Sequence, residues 1–350
     1  MALPDLSLSR SRLDKVSQDR QAEGLLARTL QDPTTSLLLL RDGRCPVHPD
    51  GPGRGLRTLR GAEAAAVVAA LGGAERLAAG GEDPATEVVA VHLGLLPADD
   101  ERAPGAVVGL LLPAEGAGPA VEAVAAGPAA GTADPVVEAA LAEPAADLRA
   151  LGTLLPATDA GALTEAVALH HWHRSHPRCP RCGSATRPAA AGHERVCLTD
   201  GSTQHPRHDP AVIMTVTDPA GRLLLGHQGR WPAGRFSAFA GFVEPGESLE
   251  GAVARELLEE AGVRVREVAY LGSQPWPFPA SLMLAFHAET DDTTAVADGD
   301  EITEVRWFDR PGLVAAVATG EVTVPPAVSV ARRLIEDWLG EPLEQQADWR

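Results

Sequence analysis

Apolar residues come in short continuous runs along the first half of the chain and in mixed periodic runs along the second. "SLLLLR" (Ser36–Arg41), "EVVAVHLGL" (Glu87–Leu95) and "AVVGLLL" (Ala106–Leu112) are bounded by turn-forming residues and predict buried strands. Gly61–Gly72 and Pro135–Ala142 have the composition of helices. Residues 1–165 therefore read as an α/β domain, and no chemical motif lies within it.

A helical pattern then runs from Thr164 to Ser175 and should stop at Pro177. The stretch 166–208 reads as this linker helix followed by a compact Cys-rich segment. Beyond it, "AVIMTVTD" (Ala211–Asp218), a "PAG" turn and "RLLLGHQ" (Arg222–Gln228) predict a hairpin with two apolar arms. Further strands are expected near Val268–Leu271, Leu282–Ala288 and Glu304–Asp309, with a helix at Ser248–Ala261 and a last one in "PAVSVARRLIEDWLG". Residues 209–345 thus form the third segment, again mixed in helix and strand.

Composition narrows the function classes. Acidic residues outnumber basic ones by 48 to 30, a balance that repels a nucleic-acid backbone. The local exception holds Arg174, Arg178, Arg181, Arg187, Arg195 and Arg207 with few acids between them. No apolar stretch is long enough to span a bilayer, and the first twenty residues lack the apolar core of a secretory signal, so a soluble, cytoplasmic protein is expected. Three of the four cysteines fall between Cys179 and Cys197, which suits a metal site in a reducing compartment better than a disulfide framework; Cys45 reads as an ordinary thiol.

The densest chemistry lies in "GFVEPGESLEGAVARELLEEAGV" (Gly241–Val263). Ser248 is a helix N-cap candidate, Glu250 suits the positive end of the helix dipole, and Gly262 is a C-terminal stop. At about 100° per residue, with Glu256 at zero, Glu259 falls at about −60° and Glu260 at about +40°, one arc of carboxylates. Leu257, Ala261, Ala254 and Leu258 fall at roughly 100–200° and are expected to form the opposite, buried face. Like charges so spaced repel and call for a cation, and crowded oxygen ligands suit Mg²⁺ or Mn²⁺. The plain alternative is a solvated acidic helix face.

Two further segments carry signals of their own. "SQPWPFPAS" (Ser273–Ser281) sets Pro275, Pro277 and Pro279 around Trp276 and Phe278, fixing the backbone so that a rigid aromatic shelf could meet a flat ring; otherwise it is a Pro-rich structural loop or a ligand for a Pro-binding domain. Cys179-x2-Cys182, separated by fourteen residues from Cys197, has zinc-ribbon spacing. Asp200 stands where the second Cys-x2-Cys should end, and His193 or His205 could replace it as a ligand. A ribbon that folds without zinc is the alternative.

The spacing Gly241, five residues, Glu247, seven residues, Arg255-Glu256-Leu257, one residue, Glu259-Glu260, one residue, Gly262-Val263 resembles the Nudix box at each of its fixed positions. With "SQPWPFPxS" downstream and the cysteine segment upstream, the chain resembles the NADH pyrophosphatase branch of the Nudix hydrolases over about residues 149–340. The resemblance implies an α/β (α+β) protein: a Nudix α/β/α sandwich with a mixed sheet, preceded by a zinc-ribbon insert and an N-terminal α/β domain. It implies Mg²⁺ or Mn²⁺ held by Glu256, Glu259, Glu260, Glu301 and the Ala240 carbonyl, with Arg255 orienting the acids through Glu247. Metal would neutralise a diphosphate and activate water, while Glu260 or Glu301 accepts the proton and Glu259 assists.

By the same resemblance Gln274, Pro275, Trp276, Pro277, Phe278, Pro279, Ala280 and Ser281 border the dinucleotide. Phe242 stacks on a ring, Ala331 lies near the site, and Arg149 in "DLRALG" reaches the substrate. His205 stands where the family has tyrosine, and Asp200 where it has a fourth cysteine. The implied reaction is hydrolysis of NAD(H) to NMN(H) and AMP by a homodimer. Removal of an NAD cap from the 5′ end of RNA is the same chemistry, and a zinc-ribbon binding protein without activity is the third reading.

Overall fold

The computed structural model describes residues 3, 6–83, 86–114, 134–142 and 144–344. The chain divides into two compact units: Arg10–Arg207 with Pro277–Ala280, and Met1–Ser9 with His208–Trp276 and Ser281–Arg350.

The first unit contains α1 (Leu25–Gln31), β1 (Ser36–Arg41), β2 (Arg44–Pro46), α2 (Gly61–Ala70), α3 (Ala74–Ala79), β3 (Val89–Leu95), β4 (Ala106–Leu112), α4 (Pro135–Leu141), β5 (Ala145–Asp147), α5 (Leu148–Leu151) and α6 (Ala157–Ser175). The strands form a sheet in the order β3-β4-β1-β2-β5, with β1 and β4 parallel and the other pairs antiparallel. The unbroken apolar runs follow from cover on both faces. Leu37, Leu39, Val108 and Leu110 pack with Leu26, Val67, Leu77 and Val137 of α1 to α4, and Gly109 lets Ala166 of α6 approach β4.

α6 begins seven residues before the expected Thr164, immediately after Pro156, where a proline ends the preceding chain and permits a first helical turn. It leads into a three-stranded sheet, β6 (Thr186–Ala189), β7 (Glu194–Cys197) and β8 (Thr203–Gln204), in that order. Arg195, one of the arginines of the basic stretch, is fully buried. Its guanidinium donates to the Thr186 hydroxyl at 2.6 Å, to the Thr186 carbonyl at 2.7 Å and to the Glu82 carbonyl at 3.1 Å. His173 Nδ1 lies 3.0 Å away and is kept neutral by burial, its pKa pushed down to about 3. That arginine organises the fold, whereas Arg178, Arg181, Arg187 and Arg207 are exposed.

The second unit is built on β9 (Asp209–Thr217), β10 (Leu223–Gln228), β11 (Phe239–Phe242), β12 (Val265–Trp276), β13 (Ser281–Thr290) and β14 (Ile302–Phe308), with α7 (Leu249–Ala261), α8 (Arg310–Ala318) and α9 (Val330–Leu339). The order is β12-β13-β9-β10-β14; β13 runs parallel to β9, and β11 pairs with β9 over Ala211–Met214 while β10 pairs with it at Val216 and Thr217. Alternation along β9 assigns the faces. Val212, Met214 and Val216 pack against Val253, Leu257 and Ala261 of α7, while Ile213 packs against Val330, Ala331 and Leu334 of α9. Leu223 and Leu225 join Leu313 of α8 and Ile335 of α9. A mixed sheet covered by helices on both faces is the expected fold class. Among the described residues no helix is long and apolar enough to cross a membrane.

Candidate active site and metal centres

α7 starts and stops on the local signals read from the sequence. The Ser248 hydroxyl accepts from Gly251 N–H at 3.0 Å, and Gly262 closes the helix in the left-handed region at φ 65°. Of the expected buried face, Leu257 and Ala261 are buried, Ala254 is half-buried, and the assignment fails at Leu258. Leu258 is 46% exposed, and the core is made by Ala252, Val253, Leu257 and Ala261. On the same wheel the buried face centres at about 70–80°, next to Glu260 at about +40°, so Glu260 joins the core side, Glu256 lies at its edge and Glu259 stays exposed. The expected separation of acids from core fails at Glu260, because a wheel gives angles along the helix and not what packs against them. Here the helix turns Glu256 and Glu260 toward β11 and the loop ahead of β14, where a carboxylate can meet backbone and other acids.

β11 shows why that is possible. Phe239 points to the α7 core and Ala240 to the α9 side, which brings Gly241 back toward the helix. A Cβ on Gly241 would lie 1.8 Å from Glu256 Oε1, so any other residue there would displace the carboxylate from this position. Arg255 ties the acids together. It donates to both Glu247 oxygens at 2.9 and 3.0 Å, to Glu256 at 2.8 Å, to Glu259 at 3.1 Å and to the Phe242 carbonyl at 3.0 Å. A planar fork with five N–H groups can make this set, and a lysine cannot.

Glu260 is outside that clamp. It is 4% exposed, and its buried Oε2 has no hydrogen-bond partner. Burial, then the charges of Glu256, Glu301, Asp298 and Glu259, push its carboxyl up to about 8. A buried anionic oxygen without a donor, surrounded by further anions, fits a divalent cation. Glu301 is exposed and accepts from Gln228 Nε2 at 3.3 Å. Asp298 was missed in the sequence. Its carboxylate accepts from the backbone N–H groups of Asp300 at 3.1 Å and Ile302 at 2.9 Å, and that of Glu301 lies at 3.4 Å, so it shapes the loop that presents Glu301. The only signal was the acidic turn "DGDE" itself.

"SQPWPFPAS" is the end of a long hairpin. β12 continues through Gln274, Pro275 and Trp276, paired to Met283, Leu282 and Ser281, which extends it well past the expected Leu271. The residues named for substrate differ in exposure. Phe242 is 60% exposed. Trp276, Phe278, Ala280 and Ser281 are half-buried, Pro279 is exposed and Pro277 buried. The Gln274 side chain is fully buried and donates to the Val328 carbonyl at 3.0 Å. Ala331 is buried in α9. The Arg149 guanidinium lies over the Phe278 ring at 3.9 Å, a cation–π contact. His205 is exposed, with Nδ1 3.9 Å from Glu194.

In the cysteine segment, one ligand atom each of Cys179, Cys182, Cys197 and Asp200 lies within 4.8 Å of the others. Two similar turns create this set: Gly183 N–H donates to the Cys179 carbonyl and Gly201 N–H to that of Cys197, at 2.9 and 3.1 Å. N–H groups of Thr199 and Asp200 point at Cys197 Sγ, both at 3.4 Å. Hydrogen bonds from the Ser202 hydroxyl and N–H hold the Asp200 carboxyl down at about 2. His193 turns its Nε2 to the His92 carbonyl at 2.8 Å and His205 faces Glu194, so among the described residues neither histidine joins the group. Three thiols and a carboxylate are a donor set that zinc accepts.

Comparison with known proteins places both segments in domain families. The NUDIX domain family matches residues 207–323, and the NADH pyrophosphatase zinc ribbon domain family matches residues 174–205. The chain carries a Nudix domain and its zinc ribbon. It is 46% identical over 204 residues to a protein of Mycobacterium bovis (strain BCG / Pasteur 1173P2) named NAD-capped RNA hydrolase NudC, covering 55% of this chain and 65% of that one. It is 40% identical over 197 residues to the human NAD-capped RNA hydrolase NUDT12, covering 53% of this chain and 43% of the relative. The chain thus spans less than two thirds of either relative's length. A solved MutT/nudix family protein from Enterococcus faecalis is 26% identical over 30% of this chain and 45% of its own, with a TM-score of 0.27.

Proposed function

We propose that this Nudix protein hydrolyses the diphosphate of NAD(H), giving NMN(H) and AMP, and that Glu256, Glu259, Glu260, Glu301 and the Ala240 carbonyl hold the Mg²⁺ or Mn²⁺ it requires. The observation that carries the reading is Glu260: a buried carboxylate oxygen with no donor, among acids that raise its proton affinity. Bound divalent metal supplies charge neutralisation of the diphosphate and activation of water. Water adds to one phosphorus, the bond from that phosphorus to the bridging oxygen breaks, and two phosphate monoesters leave.

The chain's own residues divide the work. Glu260 gives up its proton to become an anionic ligand. Glu301, exposed and touching Gln228, is the better placed of the two candidates for taking the proton of water. Arg255 fixes Glu256, Glu259 and Glu247 relative to the β11 backbone. Phe242 and the hairpin end Gln274–Ser281 select the ring-bearing substrate, and Arg149, Ala331 and His205 are further members of the proposed set. In the ribbon, Cys179, Cys182, Cys197 and Asp200 are assigned a structural zinc.

A second reading has support of its own. The relatives' names and the exposed Arg178, Arg181, Arg187 and Arg207 favour NAD-capped RNA as substrate, with NMN and 5′-monophosphate RNA as products. Competition at equal concentration separates the two. If free NADH is the substrate, NAD-capped RNA leaves its turnover unchanged; if the RNA is, it suppresses NADH turnover and charge removal at these arginines weakens only that effect. No turnover of either with Mg²⁺ or Mn²⁺ defeats both. A cytoplasmic homodimer belongs to the same proposal, and sedimentation of the purified protein tests its assembly.

A further inference from the structure

A carboxylate in a three-cysteine ribbon must present one oxygen toward the thiols and leave the other satisfied, or it will rotate and take water instead. Ser202 meets that requirement. Its hydroxyl donates to Asp200 Oδ1 at 2.5 Å and its backbone N–H donates to the same oxygen at 2.9 Å. Oδ2 carries neither bond and faces Cys179 Sγ at 3.9 Å. The Ser202 hydroxyl also lies 3.5 Å from Cys179 Sγ, so one small side chain touches ligand atoms of both turns. Cys197 N–H donates to the Ser202 carbonyl at 2.9 Å, which fixes the serine's backbone independently of its hydroxyl.

We infer that Ser202 is a positioning residue that makes Asp200 a one-oxygen ligand of the ribbon metal, in place of a fourth thiolate. The inference rests on the assignment of Asp200 as a ligand and adds the group that aims it. Two donors on Oδ1 use up the oxygen's outward lone pairs and set the carboxylate plane, so only Oδ2 is available to the metal. An alanine at 202 keeps the backbone bond and loses the hydroxyl. The carboxylate can then turn, and metal affinity falls without loss of any ligand.

The test uses the full chain loaded with zinc, titrated with a chelator while released metal is counted. Ser202→Ala is expected to release zinc at about a tenfold lower chelator concentration than the parent, the scale seen when groups supporting a ligand are removed. Ser202→Thr keeps a hydroxyl and should stay with the parent, and Asp200→Ala should lose zinc at least as readily as Ser202→Ala. Cobalt in place of zinc gives an optical readout, because thiolate-to-cobalt absorption arises at the ribbon and not among carboxylates. Its band should weaken at limiting cobalt in Ser202→Ala and strengthen in Asp200→Cys.

The outcomes separate the two claims. If Asp200→Ala holds zinc as the parent does, Asp200 is no ligand and the assignment beneath the inference is wrong. If Asp200→Ala loses zinc but Ser202→Ala does not, the ligand stands and the role of Ser202 is overturned. Equal loss in Ser202→Ala and Ser202→Thr points to packing rather than the hydroxyl, and also overturns it.

Discussion

Glu260 on α7 and Asp200 in the ribbon are both acids in proposed metal sites, and their surroundings treat them in opposite ways. Asp200 is exposed, and two donors on one oxygen hold its carboxyl down at about 2. Glu260 is buried and its Oε2 has no donor; burial first, and then four neighbouring acids, push its carboxyl up to about 8. Hydrogen bonds stabilise the anion before any metal arrives; burial among like charges leaves it dependent on one. The ribbon acid is thus ready over the whole neutral range, and the helix acid exchanges a proton for its cation. The first arrangement suits a permanent structural ion, the second a metal that arrives with substrate.

The largest expected effect follows from the helix site. Glu260→Gln keeps the shape and removes the anion, so turnover should fall by about 10²-fold or more with the fold intact, as judged by circular dichroism and steady-state kinetics. Near-normal kcat would remove Glu260 from the chemistry. Glu250→Gln, exposed in the first turn and apart from the Arg255 clamp, should change little.

Arg255→Lys tests the clamp. A lysine keeps the charge and cannot serve Glu247, Glu256, Glu259 and the Phe242 carbonyl together, so Mn²⁺ affinity and kcat/KM should fall together by about tenfold or more. Unchanged metal affinity would mean that the acids are held by their backbone alone.

Stability against pH sharpens the contrast next. The folded-state pKa of Glu260 lies above its unfolded value, so the metal-free fold binds more protons than the unfolded chain between them. Its contribution is present in full below about 4.5 and is lost as pH rises through about 8. The melting temperature of metal-free protein should therefore drop over that window, less so in Glu260→Gln, and Mg²⁺ should restore it at the alkaline end. A parallel profile in the two proteins would contradict the assignment.

How much of this was legible follows from how local each cause is. Ser248, Gly262 and the spacing of the acids are short-range signals, and the helix ends fell where they indicated. Which way α7 faces was not local: a wheel places Glu256, Glu259 and Glu260 together but cannot say that β11 carries a glycine beneath Glu256. The parallel pairing of β13 with β9 joins residues seventy-two positions apart and leaves no trace in either segment. Arg195 read as one more arginine of the basic stretch, because only the fold brings acceptors of Glu82, His173 and Thr186 together around it. The Asp200 position, by contrast, was visible from spacing alone, since both ribbon turns are local.

A smaller effect is expected at the hairpin end. If Trp276 and Phe278 select the nicotinamide ring, alanine at either should lower kcat/KM for NADH by about one to two powers of ten, and for ADP-ribose much less, because stacking is worth on the order of 1–3 kcal/mol. Phe278→Ala also removes the Arg149 contact, so Arg149→Ala should reproduce part of its effect. Equal losses on both substrates would make the segment a structural support.

The proton exchange at Glu260 is the central difference between the two sites, and calorimetry of Mn²⁺ binding at pH 7 in buffers of different ionisation enthalpy measures it directly. Zinc-loaded protein should release close to one proton as Mn²⁺ binds, and Glu260→Gln should release essentially none. Mn²⁺ binding by the unaltered protein without proton release, or equal release from both, would contradict the account.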